Sequence, residues 1–456
     1  MIKSIARITL IAGAITALPA IPIHAEDVAL AETEPVIEDS PSGGPAPVQP
    51  PAPVQPVAQP SVGDTPFVRP VNFRGSTGLR ETEKGKQVVP SERHWKLLLG
   101  ITVGWNYDDN IFLSPNGSKV HDFLFGIAPT LGIQFGEPSS GIDFLILTYT
   151  PTFVLFADHP DQNAVDEAVD LRFQHQSDIW KFAGNFNFEA LNGGNDPLQA
   201  AGGGIAGEQV GQRVDRQVYT LGLKYNYNLS DKTTIEIGFS GDYLHYDSFL
   251  STANLVNQNY IDYAITGRTS LGLGFGIGYL NTDGSPSQIY EQTLARVRYY
   301  ATSKLTFELH GGAEFIQTSG GGGGDAANGV FGATATYALT DRTSFSLAGY
   351  RNVNPSSAES DTDYTVTGVS LSASQKILGK LTFSMRTGYE HSEYHTYLGP
   401  SADRTDNYFY IQPGLQYPIG QSGRIELFYE YRTNDSTLNQ FQFADNRVGM
   451  KFSFAF

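Results

Sequence analysis

The sequence predicts an all-β chain: a transmembrane up-and-down antiparallel β-barrel of about eighteen strands behind a disordered, Pro-rich N-terminal arm. Three observations predict it. The chain ends on an alternating aromatic strand, it begins with the residue order of a secretory leader, and short turns alternate with longer loops in between.

The carboxyl-terminal strand reads V-G-M-K-F-S-F-A-F. Val448, Met450, Phe452, Phe454 and Phe456 share one face, and Gly449, Lys451, Ser453 and Ala455 share the other, because side chains alternate across a strand. This ending resembles the sorting signal of bacterial outer-membrane barrels. The resemblance implies two partners: the barrel-assembly machinery, and outer-membrane lipid against the greasy face.

At the other end, Lys3 and Arg7 precede an apolar run from Ile8 to Ile23, then Ala25 and the acids Glu26 and Asp27. That is the order of a signal peptide, too short and Pro-interrupted for a comfortable anchor. Residues 1–25 are therefore expected to be removed, residues 26–94 to form a periplasmic arm, and residues 95–456 to form the barrel. The arm contains P-A-P-V-Q-P at 45–50 and again at 51–56. Proline fixes φ and deletes the amide donor, so this segment reads as a semi-rigid spacer, or as a tether to an envelope partner.

Composition narrows the function classes. The chain has no cysteine, which removes thiol catalysis, thiolate metal sites and disulfides together. Losing Lys3 and Arg7 with the leader takes the net charge from −17 to −19, against a nucleic-acid partner. Beyond the leader no apolar run approaches the ~18 residues of a membrane helix.

Alternation and turn residues place strands near 95–106, 120–136, 142–156, 167–177, 180–191, 216–229, 233–247, 258–268 and 270–280. The second half continues at 289–301, 304–317, 329–340, 343–353, 363–377, 380–394, 405–418, 423–433 and 441–456. Short links include 137–141, 230–233, 302–304, 340–343, 378–380 and 420–423; longer ones include 192–215, 248–257, 318–328, 354–362 and 395–404. The short links recur as L-S-D-K-T-T, A-T-S-K-L-T and L-T-D-R-T-S, and Lys304, Arg342 and Lys380 fall 38 residues apart. One hairpin is thus the repeating unit.

The first strand closes on W-N-Y-D-D-N-I-F-L, including Tyr107, Asp108, Asp109, Asn110, Ile111 and Phe112. With the recurrent turns and the barrel length, this motif resembles the β-barrel porin 2 family of outer-membrane proteins. The resemblance spans about residues 95–456 and implies a link to exopolysaccharide production or export. From residue chemistry alone, Asp108, Asp109 and Asn110 read either as a turn or as oxygen ligands for a divalent cation. His391, Glu393 and His395 share a strand face at a spacing open to zinc, but they point outward with Tyr389.

Alternation turns a set of charges inward: Arg296, Arg298, Arg386, Arg424, Arg432, Arg447 and Lys451, interleaved with Glu390, Glu426 and Glu430. Fixed charges in a watery lumen select ions, or stiffen the wall as salt bridges. Four of them, Arg386, Arg424, Arg432 and Arg447, are expected to give a weak anion preference. Gly272, Gly274, Gly276 and Gly278 also face inward, to widen the pore, to seat an inserted loop or to ease curvature. Nine histidines lie scattered over distant strands and loops and serine is everywhere, so nothing singles out a catalytic site, and no enzyme and no cofactor are expected. The function expected is passive passage of small polar solutes or of an exported polysaccharide. The alternative is a non-conducting structural or adhesion barrel working through its long acidic loops. Self-association into a homo-oligomer is left open.

Overall fold

The short turns are where local chemistry sets the architecture. A computed structural model describes residues 95–456 except 139–140, 193–214, 248, 320–325, 357–359 and 398–403. The expected leader and Pro-rich arm, residues 1–94, lie outside the described residues. At four turns one hydroxyl accepts nearby backbone amides. Ser230 Oγ takes Lys232 (3.3 Å) and Thr233 (3.1 Å), and Thr266 takes Arg268 (3.1 Å) and Thr269 (3.0 Å). Thr302 takes Lys304 (3.1 Å) and Leu305 (3.0 Å), and Thr340 takes Arg342 (3.1 Å). A Ser/Thr followed two residues later by Lys or Arg therefore reverses the chain, the hydroxyl standing in for a backbone acceptor. Lys380 keeps the spacing but not the device: its turn uses left-handed Leu378 (φ 49°) and Gly379 (φ 80°).

Eighteen strands result. They are β1 (Trp95–Asp108), β2 (Asp122–Gly136), β3 (Phe144–Phe156), β4 (Ala164–Gln176), β5 (Trp180–Asn192) and β6 (Asp215–Asn228). Next come β7 (Thr233–Tyr246), β8 (Thr252–Ala264), β9 (Thr269–Thr282), β10 (Gln288–Tyr300), β11 (Leu305–Thr318) and β12 (Ala326–Thr340). The last are β13 (Thr343–Pro355), β14 (Thr362–Ile377), β15 (Leu381–Thr396), β16 (Thr405–Ile419), β17 (Gly423–Ser436) and β18 (Phe443–Ala455). The sequence placed the eighth strand at 258–268; it runs Thr252–Ala264 because I-T-G-R-T is a turn rather than a continuation of the apolar run. The link before it shrinks accordingly to residues 247–251.

Each strand pairs antiparallel with its sequence neighbour, and β1 pairs with β18, so the sheet closes on itself. Closure removes every edge, which hydrocarbon requires because it offers no partner for a free N–H or C=O. Across the seam Val103 meets Phe452, Trp105 meets Met450 and Tyr107 meets Val448, and the Phe456 amide donates to the Leu99 carbonyl (2.9 Å). The ladder between β2 and β3 lapses between Ile127↔Phe153 and Leu131↔Tyr149, where Pro129 and Pro151 lack amide donors.

The outer surface is apolar and banded. Near the short turns Trp95, Phe135, Tyr299 and Tyr417 are exposed, and near the other end Phe123, Phe153, Tyr279 and Tyr429. Between them lie Leu131, Leu273, Leu309 and Leu427. Two aromatic girdles flanking an aliphatic band are the signature of a transmembrane barrel. The end with the short turns and both barrel termini is the periplasmic end of such a barrel.

Candidate functional site

The inner wall holds the charges. On β15 and β17 the even positions face inward, opposite exposed Tyr389, Leu427 and Tyr429, and on β18 the odd positions do, opposite Val448. Register sets three cations of β17 and β18 beside an acid: Glu426↔Lys451, Glu430↔Arg447 and Arg432↔Asp445. The matching ion pairs are Lys451 Nζ–Glu426 Oε1 (3.0 Å), Arg447 Nη1–Glu430 Oε2 (3.5 Å) and Arg432 Nε–Asp445 Oδ2 (2.6 Å). Arg447 also approaches Asp108 across the closing seam (3.5 Å).

Two kinds of inner-face charge emerge. Arg432, Arg447, Glu430, Asp108 and Asp445 are fully buried. Glu390 is buried too, with the Tyr350 hydroxyl donating to it. Removing one partner of such a pair strands a desolvated charge at about 3–5 kcal/mol, so these groups hold the wall. Arg386 and Arg424, nearer the periplasmic end, are at least partly open to water and form no ion pair among the described residues. Arg432 and Arg447, expected from alternation to share in anion selection, lie against carboxylates that offset their charge.

Further round the wall, Arg296 on β10 reaches over β9 to the opposite neighbour. It binds Asp262 through Nε (2.8 Å) and Nη2, and Glu236 through Nη1 (2.8 Å), and its guanidinium stacks 3.8 Å from the Tyr260 ring centre. The glycines of β9 make this reach feasible. A methyl at Gly272 would strike Asp262 and Arg296, one at Gly274 the Tyr260 ring, and one at Gly278 the Tyr290 ring. The glycine stripe is a trough in which side chains of β8 and β10 lie. The loop it was thought to seat, 193–214, lies outside the described residues. Arg298 sits lower, partly open, against Glu308 (3.2 Å), Asp262 (3.6 Å) and Glu236 (3.9 Å).

The W-N-Y-D-D-N-I-F-L segment is a clasp at the seam. Asn110 Nδ2 donates to the carbonyls of Ser114 (2.8 Å) and Ala444 (3.0 Å), while its Oδ1 accepts the Ser114 amide (2.9 Å). Asp109 accepts the backbone amide (2.7 Å) and side-chain amide (2.8 Å) of Asn446, and Lys119 (3.2 Å). Burial raises the Asp109 pKa, but those donors outweigh it and hold the carboxyl below its usual range. Ile111 is buried with Leu124, Val154 and Phe156, Phe112 packs on that cluster, and Tyr107 faces outward against the Phe123 ring (5.1 Å). Ligand atoms of Asp108, Asp109 and Asp445 lie within 4.8 Å of one another. Arg447 and Arg432 already sit on this group, which makes it a charge network. No other grouping of three acids or histidines of that kind occurs among the described residues: His391 Nε2 lies 3.5 Å from Glu393 Oε1, and His395 does not join them.

No family model matches this chain, and no curated protein matches it. Solved structures similar to it include three outer-membrane proteins of Pseudomonas aeruginosa. OccK2 (OpdF) is 12% identical with a TM-score of 0.44, over 79% of this chain and 98% of its own. OpdO is 14% identical with a TM-score of 0.42, over 79% and 97%. OpdK, solved with vanillate, is 11% identical with a TM-score of 0.41, over 79% and 99%. Identities this low and superpositions this loose carry nothing about function across.

Sequence reasoning missed Glu236, Asp262 and Asp445, the acids that hold Arg296 and Arg432. Each stands at an inward position of its strand, and that alternation was legible. Which cation each would meet depends on strand register and on side chains crossing β9, neither of which one strand's pattern contains.

Proposed function

We propose that this barrel is a channel for small polar solutes, with a weak preference for anions set in the periplasmic half of its lumen. The observation that supports it most is the pair Arg386 and Arg424: cations on the inner face of a closed eighteen-strand barrel, in contact with water and without carboxylate partners among the described residues. Barrels of this size leave an aqueous lumen unless plugged, and unpaired charge beside narrow water steers ions. An exported polysaccharide, implied by the motif resemblance, is the longer cargo in the same reading. The tightly packed outer half favours the other reading, a non-conducting scaffold acting through its loops. Reconstitution in a planar bilayer separates them. Discrete conductance steps with an anion-leaning reversal potential are expected; a silent, correctly folded barrel overturns the channel.

A further inference from the structure

The short turns repeat a charge as well as a hydroxyl. Five successive periplasmic links, from the one joining β6 to β7 round to the one joining β14 to β15, each end on a basic residue immediately before the next strand. These are Lys232, Arg268, Lys304, Arg342 and Lys380, and all five are exposed. Lys376, at the foot of β14, adds a sixth exposed cation, against the acids Asp231 and Asp341 in the same links. The three remaining periplasmic links, 137–143, 177–179 and 420–422, hold no basic residue and carry Glu137, Asp143 and Asp178. The cations therefore form a collar on one side of the rim.

Backbone hydrogen bonds fix their spacing. The Lys232 carbonyl accepts the Ala264 amide (2.8 Å), and the Arg268 carbonyl accepts that of Tyr300 (2.8 Å). In the same way Lys304 takes Ala338 (2.8 Å) and Arg342 takes Lys376 (2.7 Å). The ladder runs on through the basic residue itself, so neighbouring cations stand two tilted strands apart, roughly 10–13 Å. Alternation also sets their side of the wall. On β7, β9, β11, β13 and β15 the odd positions face lipid, as exposed Ile237, Leu271, Leu309, Leu347 and Tyr389 show, and the cations take even positions. None of the five forms an ion pair among the described residues; Lys304 Nζ reaches the Leu339 carbonyl (3.1 Å).

Cations this far apart do not converge on one small anion, and their parity turns them away from lipid headgroups. They fit a long anion whose charges repeat. An extended or polyproline chain advances about 3.1–3.4 Å per residue, so acids three or four residues apart stand roughly 9–13 Å apart. We infer that the collar is a docking surface for an extended acidic polypeptide of a periplasmic partner, with an acid at every third or fourth residue laid along the arc from β6 to β15. A plugged barrel would present the same surface, so the inference does not rest on the channel reading.

The test uses two fluorescent peptides of one composition, repeated Asp-Pro-Pro and a form with its aspartates in one block. Each is titrated by anisotropy onto the purified full chain in zwitterionic detergent at low salt. The comparison is the fivefold variant Lys232→Gln/Arg268→Gln/Lys304→Gln/Arg342→Gln/Lys380→Gln, which keeps every turn hydroxyl. Heat-modifiable migration confirms its fold, and Arg268→Gln/Lys304→Gln replaces it should it fail to assemble. Expected are saturable binding of the spaced peptide, severalfold tighter than the blocked one and weakening as salt rises. That binding should vanish in the fivefold variant and fall severalfold in the double one. No binding to wild type, equal binding of the two peptides, or binding unchanged in the variants overturns the docking surface. Tighter binding of polygalacturonate than of the spaced peptide overturns it too, since the occupant would then be a polysaccharide. Conductance of the same preparations decides the channel separately: a silent barrel that binds the spaced peptide keeps the collar and removes the channel.

Discussion

The two halves of the lumen wall use the same residue types to different ends. In the outer half Arg432 and Arg447 are buried between Asp445, Glu430 and Asp108. In the periplasmic half Arg386 and Arg424 keep contact with water and have no ion pair among the described residues. All four are inward arginines on the last strands, and strand alternation cannot tell them apart. What separates them is the residue across the ladder: Arg432 meets Asp445 and Arg447 meets Glu430, whereas Arg386 meets Gln412 and Ser372, and Arg424 meets Pro418 and Ser453. An arginine beside an acid becomes structure, and an arginine beside a neutral neighbour is left to act on solutes.

The largest expected effect comes from breaking the outer half. Arg447→Met removes the cation between two buried carboxylates, Glu430 and Asp108, and should destabilise the barrel by about 3–5 kcal/mol. Arg386→Met should change stability within the few tenths expected of a solvated charge. Denaturant midpoints of the heat-modifiable form compare them, and equal midpoints would erase the distinction between the two halves.

A smaller effect is expected where packing rather than charge fills the wall. Gly278→Val drives a side chain into the Tyr290 ring and should cost about 1–3 kcal/mol as overpacking. Gly267→Ala, in a turn with nothing within 4 Å of the added carbon, should leave the midpoint unchanged. Equal midpoints for the two would mean that the β9 trough is empty.

The smallest expected effect sharpens the periplasmic half. Arg386→Gln with Arg424→Gln should move the reversal potential in a salt gradient toward cations while the folded fraction stays constant. The loop acids, screened over roughly 8 Å at physiological salt, should contribute little. If the double variant keeps the wild-type reversal potential, these two arginines do not set the field.

By itself the sequence determined the class of fold, the number of strands and the face on which most side chains lie. These are period-two properties, and each strand carries its own copy of them: V-G-M-K-F-S-F-A-F already separates Val448 from Lys451. Four turns were equally local, since a hydroxyl two residues before Lys or Arg closes its own loop, and the missed one, I-T-G-R-T, carries the same signal. Tertiary structure alone decided which inward charges are spent. Register across β17–β18 pairs Arg432 with Asp445, and the β9 trough lets Arg296 reach Asp262 and Glu236. It alone decided where Val353 and Asp363 make their contacts, since alternation reads both outward and both meet inner-face residues. Alternation fixes a side chain relative to its own strand, while the strand's path through space depends on partners distant in the chain.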